Sequence, residues 1–434
     1  MIVTGSGGQT LFRWHFTSDF LGLVMNFRVA FSKRSWPYML GLVLPWLLDQ
    51  GQRSVRSLAR GARLRVHESN FYRFFSEFKF NQELFFKTVF QAIVATFKLR
   101  EILLVVDDTL CPKWGHHIFG TGSFFDHVRR PRPGFIWGHN WVVLAVIVEL
   151  FGAPVSLPFW VKLYRPKSSC PPEQFKTRLE ITEEAIRLVK SWTSLPVMVV
   201  ADGAYNNKSM LIPLKELRVP FVSRLRHDAR LRHDPPQRRR GRRGRLPKYG
   251  GWLPRLPKIA RAGRGWEKLE VHIYGKDVQV KVKTFDAWWP KAGVKLRVVI
   301  VRDPDGKRKP CYLSSTDLSK APKFIIETFA RRWSIEQMFS DAKNCLGLDT
   351  AEVRNPKSVV RHGAFAFGFI TIVRIWALNR FSRYKNQPKS LARQLSFLRS
   401  EVMAETIFMS QAPKPGSRRN AEALAGLLTQ KVPA

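Results

Sequence analysis

EILLVVDDT, residues 101–109, is a run of five aliphatic residues that stops on two carboxylates. A short apolar run of this length, rich in β-branched side chains and closed by polar ones, predicts a buried strand. LPVMVVADGAY, residues 195–205, repeats the pattern and again ends on a carboxylate, Asp202. In open α/β sheets the carboxyl ends of strands are where functional groups gather. These two stretches therefore set both the fold class and the first place to look for chemistry.

The sequence between and around them supports an α/β sheet. WVVLAVIVEL (141–150) and SLPFWVKLY (156–164) read as two further strands joined by a turn. PPEQFKTRLEITEEAIRLVKSW (171–192) has helical spacing, NKSMLIPLKEL (207–217) does too, and VPFVSRLR (219–226) reads as a strand. Strands alternating with helices in this way form a sheet flanked by helices.

The alternation stops at 226–265, where PPQRRRGRRGRLPKYGGWLPRLPK is rich in Arg, Pro and Gly and lacks periodicity. It predicts a loop suited to tracking phosphates through Arg238, Arg239, Arg240, Arg242 and Arg243. Strand-like segments follow: KLEVHIYGKDVQVKVKTF with a turn at Gly275, then VKLRVVIVRD and KRKPCYLSST. Helical spacing returns in SKAPKFIIETFARRWSIEQMFSDAKNC and in FAFGFITIVRIWAL. Residues 16 to about 100 are also mostly helical, and the tail from about 411 is polar. This divides the chain into a helical region (1–100), read either as a DNA-binding domain or as a helical cap on the next domain, and a first part of the α/β core (101–225). A basic loop with a β-rich insertion (226–315), a final part of the core (316–385) and a C-terminal tail (386–434) complete it.

Composition narrows the partner. The 434 residues carry 73 Lys+Arg against 33 Asp+Glu, a formal net charge of +40, which attracts polyanions. With 45% hydrophobic residues the chain has the material for real cores. Its four cysteines, Cys111, Cys170, Cys311 and Cys345, form no CxxC pair, which argues against a zinc site or a disulfide framework and fits a reducing cytosol. The apolar stretch 141–161 contains Glu149, Gly152, Pro154 and Pro158, so two strands explain it better than a membrane helix. WPYMLGLVLPWLL (36–48) is too short to span and is interrupted by Pro45. The N-terminus has no signal-peptide pattern, and no membrane partner is expected.

Asp107, Asp108 and Asp202 are three carboxylates at predicted strand ends in a strongly basic chain. Brought close together they would repel one another, and a divalent cation such as Mg²⁺ relieves that conflict through oxygen ligands. RRWSIEQMFSDAKNCLG, residues 331–347, supplies a further acid. At about 100° per residue, Ile335, Met338, Phe339, Ala342, Cys345 and Leu346 form one apolar stripe. Arg332, Glu336, Ser340 and Lys343 fall in a separate strip, so the helix can bury one side and aim Glu336 at the carboxylates.

VVDDT, VVADGAY and RRWSIEQMFSDAK, in this order, resemble the DDE transposases of bacterial insertion sequences. The subgroup with a strand-rich insertion before the Glu is the most similar, with its motif of Tyr, two residues, Arg, three residues, Glu, six residues, Lys. Arg332, Glu336 and Lys343 fit that spacing, and Phe329 stands where the Tyr is usual. DDTLCPKWG, GHNWVVLAV, ADGAYNNKSML and GRRGRLPKYG share the resemblance, which covers about 50–380.

The resemblance implies an RNase H-like mixed sheet flanked by helices, with a β-rich insertion and a helical N-terminal domain. It implies two divalent ions, Mg²⁺ or Mn²⁺, held by Asp, Asp and Glu. Asp202 and Glu336 carry over as the second and third of these. Asp107 and Asp108 both qualify as the first, and the family pattern of Asp, any residue, then Thr or Ser favours Asp107. Arg332, Lys343 and the Phe329 position resemble the family's contacts to DNA. Trp288 and Trp289 in the insertion are candidates to stack on a base, although a Trp in a strand-rich subdomain is more often core. The implied activity is metal-dependent cleavage at transposon ends followed by strand transfer, by a homodimer that synapses two ends in the bacterial cytoplasm. The alternatives are a catalytically silent, transposase-derived DNA-binding protein and an RNase H-like nuclease without strand transfer. His116 and His117 follow the first acids without a partner at ligand spacing and read as loop residues.

Overall fold

In a computed structural model of the chain, residues 2–4, 10–13, 17–49, 51, 53–62, 66–126, 134–237, 245–305 and 308–410 are described. An antiparallel pair, β1 (Ile2–Thr4) and β2 (Thr10–Arg13), precedes five helices: α1 (Ser18–Met25), α2 (Trp36–Leu48), α3 (Val55–Gly61), α4 (Ser69–Ser76) and α5 (Gln82–Thr96). The sheet then begins with β3 (Ile102–Pro112), β4 (Gly122–Asp126), β5 (Gly134–Leu150) and β6 (Ala153–Tyr164). α6 (Arg178–Trp192) leads to β7 (Val197–Ala201), and α7 (Lys208–Glu216) to β8 (Phe221–Arg224).

These strands lie in the order β6–β5–β3–β7–β8. β5 pairs antiparallel to both β6 and β3, while β3, β7 and β8 run parallel. Three antiparallel strands followed by two parallel ones reached through helices make an RNase H-like core. The strand-rich stretch continues the same sheet. After α8 (Leu256–Arg261), β9 (Glu267–Ile273), β10 (Lys276–Trp289), β11 (Val294–Arg302) and β12 (Cys311–Ser315) form an antiparallel series. β12 joins it to β8 through Leu313–Arg224, Ser314–Ser223 and Ser315–Val222, giving a ten-stranded sheet. The β9–β10 turn is Tyr274–Gly275, both at positive φ (54° and 73°), the two-residue hairpin geometry that Gly275 favours.

The chain closes with α9 (Pro322–Arg331), α10 (Ser334–Leu346), α11 (Pro356–Phe381) and α12 (Leu391–Ser410). α11 is long and apolar enough to cross a membrane by length and composition, but 94% of its most apolar window is buried inside the protein. It lies on the sheet, with α1, α4 and α5 packed around it. Contact between α11 and the sheet is close. A Cβ on Gly363 would stand 2.6 Å from the Trp141 ring of β5, so a larger residue there would push helix and sheet apart. Arg361 of α11 donates to the carbonyls of Phe74 and Phe78, which ties α4 to the same core.

Three sequence expectations are adjusted. β3 does not end at the acids but runs on to Pro112, because β5 is long enough to pair with it as far as Gly138. The segment 331–347 is not one helix. α9 stops at Arg331 and α10 starts at Ser334, with Arg332 and Trp333 in the turn between them. α2 passes through Pro45 and ends three residues later, an almost wholly buried helix whose packing offsets the missing backbone hydrogen bond. Of the expected apolar stripe of α10, Ile335, Met338, Phe339, Ala342 and Leu346 are buried and Cys345 is half-buried.

Candidate active site

The parallel pairing of β3 with β7 runs from Ile102–Val197 to Val106–Ala201. The next residue is Asp107 on β3 and Asp202 just past the end of β7. Two acids nearly a hundred residues apart are thus set side by side where the two strands part. Alternation along β3 sends Asp107 and Asp108 to opposite faces.

Asp107 faces α10. Its Oδ2 accepts a hydrogen bond from Nη1 of Arg332 at 3.1 Å, and Nη2 of Arg332 donates to Oε1 of Glu336, also at 3.1 Å. Arg332 is only 11% exposed at its side chain, against 20% for Asp107 and 38% for Glu336. The guanidinium thus bridges the two acids in a partly dry setting, and its Nε is buried without a hydrogen-bond partner. Burial raises the Asp107 carboxyl to about 7, helped by the charges of Asp108 and, more weakly, Asp202, against the opposing pull of Arg332. An acid held that high by burial and like charge leaves a demand for positive charge that one arginine does not meet.

The C-terminal end of α10 fixes the helix that carries Glu336. Gly347 ends α10 in the left-handed region at φ 68°, and a Cβ there would lie 2.9 Å from Arg53 Cβ and 2.8 Å from Thr350 Oγ1. Trp46 Nε1 donates to the Leu346 carbonyl at 2.9 Å, and Lys113, just past β3, donates to the Asp349 carbonyl at 2.7 Å. Within α10, Asp341 and Arg374 of α11 form a buried pair at 2.9 Å. Lys343 donates to the Leu110 carbonyl of β3 at 2.6 Å. The C-terminal half of α10 is therefore locked to β3 and α11.

Asp108 faces the other side, towards α6. Its Oδ2 accepts from Arg178 Nη1 at 2.7 Å and from Asn140 Nδ2 at 2.9 Å, and its Oδ1 accepts from the Tyr205 hydroxyl at 3.2 Å. Tyr205 is buried three residues after Asp202, so this bond ties the segment carrying Asp202 to β3. The structure thus brings Asp107, Asp202, Arg332 and Glu336 towards one place and turns Asp108 away from it.

A family model described as DDE superfamily endonuclease matches residues 26–282. The chain belongs to that family. No curated protein matches the sequence. As a DDE superfamily endonuclease, the protein has Asp107 and Asp202 inside the matched region and Glu336 beyond it, so Glu336 rests on its geometry with Arg332 and Asp107.

Fit to divalent cations comes down to the donor set. Asp107, Asp202 and Glu336 offer the hard carboxylate oxygens that Mg²⁺ and Mn²⁺ prefer. Among the described residues no three His, Cys, Asp or Glu side chains already stand close enough to hold an ion, and Arg332 occupies the gap between Asp107 and Glu336. The residues fit in kind, with Arg332 in the position where positive charge is required.

The other expected DNA contacts are distributed as follows. Phe329 is half-buried at the end of α9, with the Arg332 guanidinium carbon 5.6 Å from its ring centre. Trp288 packs on Tyr249 at 5.5 Å and donates to Asp234 at 2.8 Å, while Trp289 is buried. Arg238, Arg239, Arg240, Arg242 and Arg243 lie outside the described residues. His116 and His117 are exposed loop residues.

Two features escaped the sequence reading. One is the Arg178–Asn140–Tyr205 set on Asp108, which needs three remote elements to meet. The other is Trp252, which lines a cleft of roughly 1170 Å³ that also reaches Asp202, Arg224, Lys291 and Lys309. Trp252 is 50% exposed, with the guanidinium carbons of Arg230 and Arg232 at 4.9 and 4.4 Å from its ring centre. An aromatic among basic residues was the available signal, since GGWLPR follows the arginine run after LPKY.

Proposed function

We propose that this DDE superfamily endonuclease is a transposase that cuts DNA at the ends of its element and joins the freed ends to target DNA. The observation that supports this most is Arg332 bridging Asp107 and Glu336 beside Asp202. In this reading Asp107, Asp202 and Glu336 hold two divalent ions, and Asp108 is a positioning residue. When bound, the ions lower the pKa of the attacking hydroxyl and neutralise charge on the transferring phosphate.

The chain's own residues orient the reaction. In cleavage, a water oxygen bonds to the phosphorus, the P–O3′ bond breaks, and the strand keeps a 3′-hydroxyl. In joining, that 3′-oxygen bonds to a target phosphorus and displaces a second 3′-oxygen. Arg332 and Lys343 then serve the phosphates, Arg332 by its planar pair of donors. The cleft beside Asp202, with Trp252 against two arginines, supports a DNA path that leaves the carboxylates along the insertion. A homodimer synapsing two ends completes the proposal.

The test uses the full chain, Mg²⁺ or Mn²⁺, a duplex taken from the inverted repeats flanking the coding sequence, and a supercoiled target plasmid. Cleaved ends joined covalently to the plasmid are expected. Cleavage without joining would leave a nuclease, and binding without metal-dependent cleavage would leave a silent DNA-binding protein.

A further inference from the structure

The face of the sheet that carries Asp107 does not end with the carboxylates. Directly opposed residues of an antiparallel pair share a face, and successive odd positions stay on it. Asp107 opposes Val143, Thr109 opposes Trp141, and Cys111 opposes His139. Two and four residues further back along β5 are Trp137 and Phe135, and Phe135 opposes Phe125 of β4. Helix α11 covers Trp141, the Cys111–His139 pair beyond it is still buried, and the face opens at Trp137 and Phe135. Phe135 is 69% exposed and Trp137 37%, and Trp114, next to Lys113 whose backbone N–H donates to the Trp137 carbonyl, is 94% exposed.

This surface is built. The Trp137 indole donates to the Gly115 carbonyl at 3.1 Å, the His116 ring sits 5.1 Å from the Trp137 ring, and Phe125 meets Phe135 edge-to-face at 5.4 Å. At about 3.4 Å per residue, Trp137 and Phe135 lie about 20 and 27 Å along β5 from the position opposite Asp107. The sequence that joins β4 to β5 carries Arg129, Arg130 and Arg132 and no acid, within a chain of net charge +40. Flat aromatic faces set in basic sequence match the chemistry of unpaired bases on a phosphate backbone.

We propose that Phe135 and Trp137, with Trp114 in the adjoining loop, form a stacking platform for a single-stranded stretch of DNA, Phe135 and Trp137 lying on the same sheet face as Asp107 and one strand-length away from it. The proposal rests on the reading of the chain as a DNA-cutting enzyme. Bases stack on the aromatic faces while the chain's net charge of +40 attracts the phosphates, so the platform separates base-dependent from charge-dependent binding.

The test compares a dT20 oligonucleotide with an abasic 20-mer of the same charge, by fluorescence anisotropy at fixed salt, using the full chain. The wild type is expected to bind dT20 about tenfold more tightly than the abasic strand. Trp114→Ala/Phe135→Ala/Trp137→Ala is expected to bind both with the wild type's abasic affinity, while circular dichroism and melting remain unchanged. Trp114→Ala alone, at the most exposed position, reports a partial loss free of folding effects. A preference for dT20 that survives in the triple variant overturns the platform, as does its loss in Trp252→Ala alone. A triple variant that keeps the preference and changes only its oligomeric mass makes this face a contact between copies. Metal-dependent cleavage of flanking duplex is scored separately, so a wild type that fails to cut defeats the functional reading without touching this result.

Discussion

Arg332 and Asp107 are 225 residues apart in sequence and 3.1 Å apart in space, and the same guanidinium reaches Glu336 at 3.1 Å. The positive charge between these two carboxylates is therefore internal to the chain. On the proposed function, a divalent ion held by Asp107 and Glu336 would compete with the arginine for the same oxygens.

Competition gives the first prediction. Arg332→Gln should bind Mn²⁺ more tightly than the wild type, by about tenfold, because one unit charge at about 4 Å contributes on the order of 1 kcal/mol or more at a half-buried site. Cleavage should fall in the same variant, since Arg332 also serves the phosphate. Calorimetric titration of Mn²⁺ checks the first half, and unchanged or weaker metal binding contradicts the competition.

The two acids of β3 should separate cleanly. Asp107→Asn is expected to abolish metal-dependent cleavage, whereas Asp108→Asn should retain much of it and lose about 1 kcal/mol of stability through its weakened bond to the half-exposed Arg178. Cleavage rates and urea midpoints of both variants decide the matter. The reverse ranking would move the metal site to the α6 face.

Asp341 and Arg374 are 9% and 4% exposed at their side chains and pair at 2.9 Å. Removing one partner leaves a buried charge, so Asp341→Ala should cost about 3–5 kcal/mol. Thermal melting measures it. A loss below about 1 kcal/mol would mean that α10 is not held to α11 by this pair.

Acid should destabilise the fold through two histidines. Burial first, then the charge of Lys113, depresses His139 to about 4, and burial does most to depress His362 to about 3. Both regain about 6.5 when the chain unfolds, so below that pH the unfolded state binds more protons. Their contribution is complete above about 6.5 and is lost as pH falls towards the folded values, about 2 kcal/mol each between pH 7 and 5. Asp107, raised to about 7 in the fold, works the other way and offsets about 2 kcal/mol of this loss over the same range. Urea midpoints at the two pH values test this, and the stability of His362→Gln should fall by about 2 kcal/mol less than that of the wild type between them.

Much of this architecture was legible in the sequence because its elements are locally consistent. The runs ending at Asp107 and Asp202 read as buried strands, and the α10 stripe from Ile335 to Leu346 reads as a helix face. Gly275 marked its hairpin. What stayed hidden depends on remote partners. The full length of β3 is set by β5, and the separation of Asp107 from Asp108 needed Arg332 on one side and Arg178, Asn140 and Tyr205 on the other. The turn at Arg332 follows residues whose periodicity alone reads as continuous helix. Trp252 gave no periodic signal, because its surroundings belong to a loop that folds back beside Asp202.

The most direct measurement is metal-dependent cleavage of the flanking inverted-repeat duplex by the wild type and by Glu336→Gln, with binding of the same duplex measured in parallel. The account predicts cleavage by the wild type, none by Glu336→Gln, and equal DNA binding by both. Cleavage by Glu336→Gln at the wild-type rate would contradict it.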